Sequence, residues 1–336
     1  MITDLKSVAT GLGFIEAPVA RTDGSVLFLN IEKQGLYRLG ADNTVERLMD
    51  IQGGPNGMAI GPDGAAYICN NGHIYDFIGF PDLDKGPLRS LNPMPSKQYM
   101  GHGMIQRVDL TTHDVTTLYT HCDGQPLLTP DDIVFDSTGT GFWFTDSGIQ
   151  SPDSIQKGGL YYALIDGSSI TRLATIPTAN GVGLSPDETV LYVSDTVFGR
   201  LYAFDLDGPG KVAPPPDIKT MADLGKLKPG MLPHVPGRVV LTLPGLQWVD
   251  SLKVDASGRV CIGTLINSGI TIFTPEGLTT PQAPGTIEFV PVPDLMTTNL
   301  CFGGADMCDV WITASCTGTI YKGRSDRPGL VPAFGA

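Results

Sequence analysis

Six oxygen-bearing side chains recur at one place in a repeated pattern: Glu16, Asn56, Asp131, Asn180, Asp250 and Asn299. Each opens an apolar run just after a turn. Glu16 stands in Gly13-Phe14-Ile15-Glu16-Ala17-Pro18, Asn56 in Gly54-Pro55-Asn56-Gly57-Met58, and Asp131 in Thr129-Pro130-Asp131-Asp132-Ile133. Asn180 stands in Ala179-Asn180-Gly181-Val182, Asp250 in Trp248-Val249-Asp250-Ser251-Leu252, and Asn299 in Thr298-Asn299-Leu300-Cys301. One Asn-Gly pair is an ordinary turn dipeptide. Six acid or amide residues at one repeat position ask for more than a turn. Three amides and three carboxylates make a donor set suited to a hard cation such as calcium, magnesium or manganese. Carboxylates gathered without a cation would repel one another and bind protons instead.

The elements that must position these groups are short strands. After each run comes a polar turn and a second apolar run, as Asp23-Gly24 precedes Val26-Leu27-Phe28 and Pro62-Asp63-Gly64 precedes Ala66-Tyr67-Ile68. Third and fourth runs follow, such as Gly35–Leu39 and Thr44–Leu48, with the apolar-polar alternation of half-buried strands. The six positions are 40, 75, 49, 70 and 49 residues apart. The two long gaps hold insertions, at about 72–104 and 208–237. Without them each unit is the size of a four-stranded propeller blade. The reading is an all-β chain, with residues 1–336 as one six-bladed β-propeller of four-stranded antiparallel blades. A strand in Leu5–Ala9, outside the repeats, would complete the last blade and close the ring. The Asp-Gly turns and their equivalents at Asp136, Asp187 and Asp255 belong to hairpins. In the second insertion, Met221-Ala222-Asp223-Leu224 is expected as a helical turn.

Composition narrows the function. The 336-residue chain carries a net charge of −13, which argues against nucleic acid as a partner. Met1 to Lys6 shows no basic segment leading into an apolar run, and no run of about 18 apolar residues occurs. The expectation is a soluble, cytoplasmic protein with no membrane partner. The six cysteines are scattered with no C-x-x-C pair, so they read as reduced core thiols rather than zinc ligands.

Taken together, Ile15-Glu16-Ala17-Pro18, Asn56-Gly57-Met58-Ala59, Pro130–Asp136, Asn180-Gly181-Val182 and Asp250-Ser251-Leu252 resemble the senescence marker protein, regucalcin and gluconolactonase family over essentially the whole chain. Diisopropyl fluorophosphatase is a more distant relative. The resemblance implies one divalent metal in the central channel, calcium first, with manganese, magnesium or zinc as alternatives. It also implies that Glu16, Asn180 and Asp250 hold that metal, with Asp131 beside it in place of the family's usual asparagine. Sugar lactonases of this family carry an arginine where Thr129 stands, while Asp132 matches. Asn56, Thr129, Asp132, His102 and Trp248 are the expected substrate contacts.

The function that follows is hydrolysis of a lactone or related ester, with Asp250 as general base and Asp131 as its competitor. The missing arginine and the aromatic insertion (Phe77, Phe80, Tyr99, Met100, Met104) point to a substrate less polar than a sugar lactone. Alternatives are a phosphotriesterase at the same metal, or a calcium-binding propeller without catalysis. No Gly-x-Ser-x-Gly elbow supports a serine hydrolase. His73 and His102 read as loop residues near the channel mouth.

Overall fold

The computed structural model describes residues 1–80, 88–91, 95–213, 237–275 and 285–335. The first repeat folds as Ile15–Ala20, Val26–Asn30, Gly35–Leu39 and Val45–Asp50, hydrogen-bonded in that order as an antiparallel sheet. The first three runs are rich in residues that fit a buried pleated surface; Val26–Asn30 is buried throughout. Val45–Asp50 carries Glu46, Arg47 and Asp50 and is mostly exposed. Burial thus falls from the first strands to the last, so the polar edge faces outward.

Five further sheets repeat this plan, and their first strands are Pro55–Ile60, Pro130–Phe135, Ala179–Leu184, Trp248–Val254 and Thr297–Gly303. Each first strand packs against the first strand of the next sheet, and Thr297–Gly303 packs back against Ile15–Ala20. The result is a six-bladed β-propeller with these strands around the axis. Ile2–Ala9 pairs with Thr319–Ser325 and supplies the outermost strand of the sixth blade. The N-terminal amine pairs with Asp326, which also binds Arg259 at 3.0 Å. The N-terminal strand thus ties the start of the chain to its last blade and closes the ring.

The apolar core is divided by this geometry. Six clusters of buried side chains each lie between two neighbouring blades. Tyr67 and Ile105, for example, meet Phe135, Phe142 and Phe144 across the second interface. The hairpin aspartates close their own turns: Asp23, Asp63, Asp136, Asp187 and Asp255 each accept the backbone N–H two residues on, at 2.9–3.2 Å. All six cysteines are free thiols, and five are buried.

The first insertion is fastened over one end of the ring. Met100 N–H donates to Gly72 O at 2.9 Å, Ser96 N–H to Ile74 O at 2.8 Å, and Tyr99 Oη to Leu128 O at 2.7 Å. Phe77 packs on Phe14, ring centroids 5.3 Å apart. Phe77–Phe80 pairs with Leu88–Leu91. In the second insertion Lys211–Val212 pairs with the end of Arg200–Gly208. The helical turn expected at Met221–Leu224 lies outside the described residues. Among the described residues, no helix is long and apolar enough to cross a membrane.

Candidate functional site

An ordinary strand alternates its side chains between faces. Every first strand here breaks that rule near its start, because each holds one residue more than its partner strand. Residues 56–57 oppose 69 alone, 131–132 oppose 145, 180–181 oppose 194, and 250–251 oppose 263. The first strand slips between Glu16 and Val19, where Ala17 takes φ of 49°. Such β-bulges re-aim side chains. The polar pairs of the repeats therefore mark bulges, and the glycines allow the strands to close on the axis. A Cβ on Gly57 would lie 2.1 Å from Asp131 O, and one on Gly181 would lie 2.5 Å from Leu252 N. The Asn-Gly dipeptides thus sit in strands packed at the axis rather than in turns.

The register also corrects the sixth position. Thr297 pairs with Ala314 and Asn299 with Thr313, leaving Thr298 as the extra residue. Thr298 is therefore the counterpart of Asn56, Asp131, Asn180 and Asp250, and Asn299 belongs with Asp132 and Ser251, one residue further down. Hydrogen bonding agrees. Asn299 Oδ1 accepts Leu300 N–H at 2.8 Å, as Asp132 Oδ1 accepts Ile133 N–H at 2.9 Å. The six-residue oxygen ring is thus five residues plus a threonine hydroxyl, with a second polar layer beneath it.

Glu16, Asn56, Asp131, Asn180 and Asp250 are all buried, each less than a tenth exposed. Glu16 Oε2 accepts Ala17 N–H at 2.7 Å and Asn299 Nδ2 at 2.8 Å. Asp131 accepts from the Ser147 hydroxyl. Asn180 Oδ1 takes the Ser251 hydroxyl at 3.5 Å. Asp132 lies in the lower layer, 1% exposed, and its Oδ2 is 3.5 Å from Lys253 Nζ.

Electrostatics ties the acids together. Burial pushes Asp250 well above the usual carboxylate range, and the charges of Glu16, Asp131 and Asp132 push the same way. Burial likewise raises Asp131, helped by Glu16, Asp132 and Asp146 against the pull of Ser147. Glu16 is raised to about 7 by burial and Asp132, although Asn299 and Ala17 N–H favour its charged form. Burial thus raises all three carboxylates, and the charge of Glu16 adds to the rise of Asp131 and Asp250. A cation would relieve that repulsion. Their oxygens and the Asn180 amide match a hard cation in type. Among the described residues, no three His, Cys, Asp or Glu side chains converge as a ready cluster. The fit rests on mixed carboxylate and amide donors.

The remaining expected contacts scatter. The Thr129 hydroxyl is spent on Gly148 O at 2.6 Å, and its N–H on Asp146 at 2.9 Å, so it serves the loop. His102 Nδ1 lies 3.1 Å from Gly103 O, with its ring near that of His121. Trp248 begins the fifth inner strand and is half-buried. His73 Nδ1 meets Gln34 Nε2 at 3.1 Å. Sequence reasoning passed over Tyr75. It is half-buried, and its phenol is pushed far up by burial and then by Asp131, Asp250 and Asp146. It therefore remains a protonated phenol within the field of those acids. Only its place in an aromatic insertion, beside Phe77, signalled it.

Comparison with known proteins places this site in context. The family model described as SMP-30/Gluconolactonase/LRE-like region matches residues 14–316. Lactonase drp35 of Staphylococcus haemolyticus is 42% identical over 148 residues, covering 44% of this chain and 39% of that protein. Lactonase drp35 of Staphylococcus epidermidis is 26% identical over 259 residues, covering 76% and 64%. The matches span less than two thirds of either relative's length. A gluconolactonase structure from Xanthomonas campestris superposes with a TM-score of 0.67 at 20% identity, covering 95% of this chain and 89% of that one. Regucalcin from Agrobacterium tumefaciens, a calcium-binding protein, gives 0.65 at 17% identity, covering 97% and 95%. With the family model running from the first blade into the sixth, the chain belongs to the SMP-30/gluconolactonase/LRE-like family.

Proposed function

We propose that this protein is a metal-dependent lactonase acting on a substrate less polar than a sugar lactone. The observation that carries the reading is the set of buried oxygen donors at the starts of the inner strands, Glu16, Asp131, Asp250 and the Asn180 amide, whose carboxylates are raised by burial and by neighbouring acids. Membership of the family and the lactonase relatives support the same chemistry.

Glu16, Asn180, Asp250 and Asp131 would hold the cation, calcium in the first instance. When bound, it would polarise the carbonyl and lower the pKa of a nearby water. Asp250 takes the proton of the attacking water as its oxygen bonds to the carbonyl carbon. The acyl–oxygen bond of the ring then breaks, and the proton passes to the leaving oxygen, giving an open hydroxy acid. Asp131, fixed by Ser147, orients the water. Phe77 of the first insertion packs on Phe14, two residues before Glu16; this apolar surface and the absence of an arginine at Thr129 support a less polar ring.

The test is hydrolysis of sugar, aliphatic and aromatic lactones by chelator-stripped protein, before and after refilling with calcium, manganese or zinc. Loss on stripping and return on refilling is the expected result. Turnover of none of the lactones with metal bound would overturn the reading, and phosphotriesters would then be assayed at the same site.

A further inference from the structure

Asp132 is the most enclosed acid of the group and lies one layer below the others. Its Oδ1 is taken by Ile133 N–H at 2.9 Å, and its Oδ2 by Val182 N–H at 3.4 Å and by Lys253 Nζ at 3.5 Å. Lys253 reaches it from below. Its side chain is 29% exposed, and it lines a cavity of about 790 Å³ at the far end of the channel. That cavity is walled by apolar side chains such as Met58, Ile60, Val182, Leu184 and Leu252. The other cation on its wall, Arg21, donates to Gly335 O at 3.3 Å. An ammonium among apolar walls is costly unless paired. Lys253 finds its partners in Asp132 and in Leu252 O at 3.0 Å.

We propose that Lys253 is a built-in counter-cation, a positioning residue that pairs with Asp132 beneath the oxygen ring and thereby sets how strongly the ring attracts a divalent cation. Glu16, Asp131, Asp132 and Asp250 supply four carboxylates to this stretch of the channel. A divalent cation offsets two charges, and Lys253 offsets one. Asp132 already acts on the other three, since its charge adds to the rise of each. Removing the ammonium would expose the ring to that charge in full, and buried charges are screened little by salt. The inference rests on the metal reading of the ring.

The test is calcium titration by calorimetry at pH 8 on the full chain. Lys253→Met is expected to bind calcium at least about tenfold more tightly than the wild type. Lys253→Arg, which keeps the charge, should bind as the wild type does. Asp132→Asn combined with Lys253→Met should return affinity to near the wild-type value, because both charges go together. Lys253→Gln serves if the methionine variant does not fold. Unchanged or weaker calcium binding by the folded Met or Gln variant overturns the inference alone. No binding of calcium, manganese or zinc by the wild type overturns the metal reading and the inference with it.

Discussion

The same six strands build two opposite environments. At their starts, bulges turn Glu16, Asn56, Asp131, Asn180 and Asp250 into a buried, oxygen-rich end. Two or four residues on, the strands line an apolar cavity through Met58, Ile60, Ile133, Phe135, Leu184 and Val254. The cavity's outer side is made by Leu330–Phe334, where Phe334 meets Phe135 edge-on at 5.8 Å. The large cavity is therefore not where the acids are. Volume follows the apolar end, and chemistry follows the end where buried charges strain one another. In a propeller the site is better sought by perturbed acids than by size of hollow.

The sharpest way to break this contrast is at Asp250. Asp250→Asn should lower kcat/KM for lactones by about 10³-fold or more, with circular dichroism unchanged. A loss under tenfold would move the base elsewhere, with Asp131 next in line.

The pH dependence of stability comes second. Glu16 rises from 4.5 to about 7, so between those values the folded chain holds more protons than the unfolded chain. Asp131 and Asp250 act in the same direction. Chelator-treated protein should therefore be most stable below pH 4.5 as far as these groups are concerned, and lose that contribution as pH rises through 7. Calcium should raise the melting temperature more at pH 8 than at pH 5. A flat profile without metal would mean that burial and neighbouring charge do not raise these acids.

The apolar end should respond in the other currency. Leu184→Ala removes a side chain 4% exposed from the interface of the third and fourth blades. It should cost about 2–4 kcal/mol of stability by denaturant unfolding and change kcat/KM by less than about twofold. A large kinetic effect would show that the two ends are coupled.

The smallest effect belongs to Phe77 in the first insertion. Phe77→Ala removes the ring packed at a tilt against Phe14 and should raise KM for aromatic lactones by about three- to tenfold, with little change for small aliphatic ones. Equal effects on both classes would assign Phe77 to packing of the insertion alone.

Much of this was legible in the chain because repeats declare themselves. Spacing of the apolar runs gave six blades, and the unrepeated strand at the N-terminus gave closure. The identities of the acids and amides gave the hard-donor set. Asn299 was misaligned because a sequence does not show which residue of Thr298-Asn299 is the extra one; both are polar, and either preserves the apolar run that follows. Thr129 looked available to a substrate, but its hydroxyl is consumed by Gly148 from a loop nineteen residues on. Tyr75 was hidden in an insertion, where no period points to a direction.

The sequence alone determined which residue types recur, how often, and therefore how many blades bury their faces against one another. Tertiary structure alone decided where those side chains point. A bulge is a mismatch between two strands, and a paired charge such as Asp132 with Lys253 joins residues 121 positions apart. Neither is written in any one segment, because both arise only when the ring closes and excludes water from its axis.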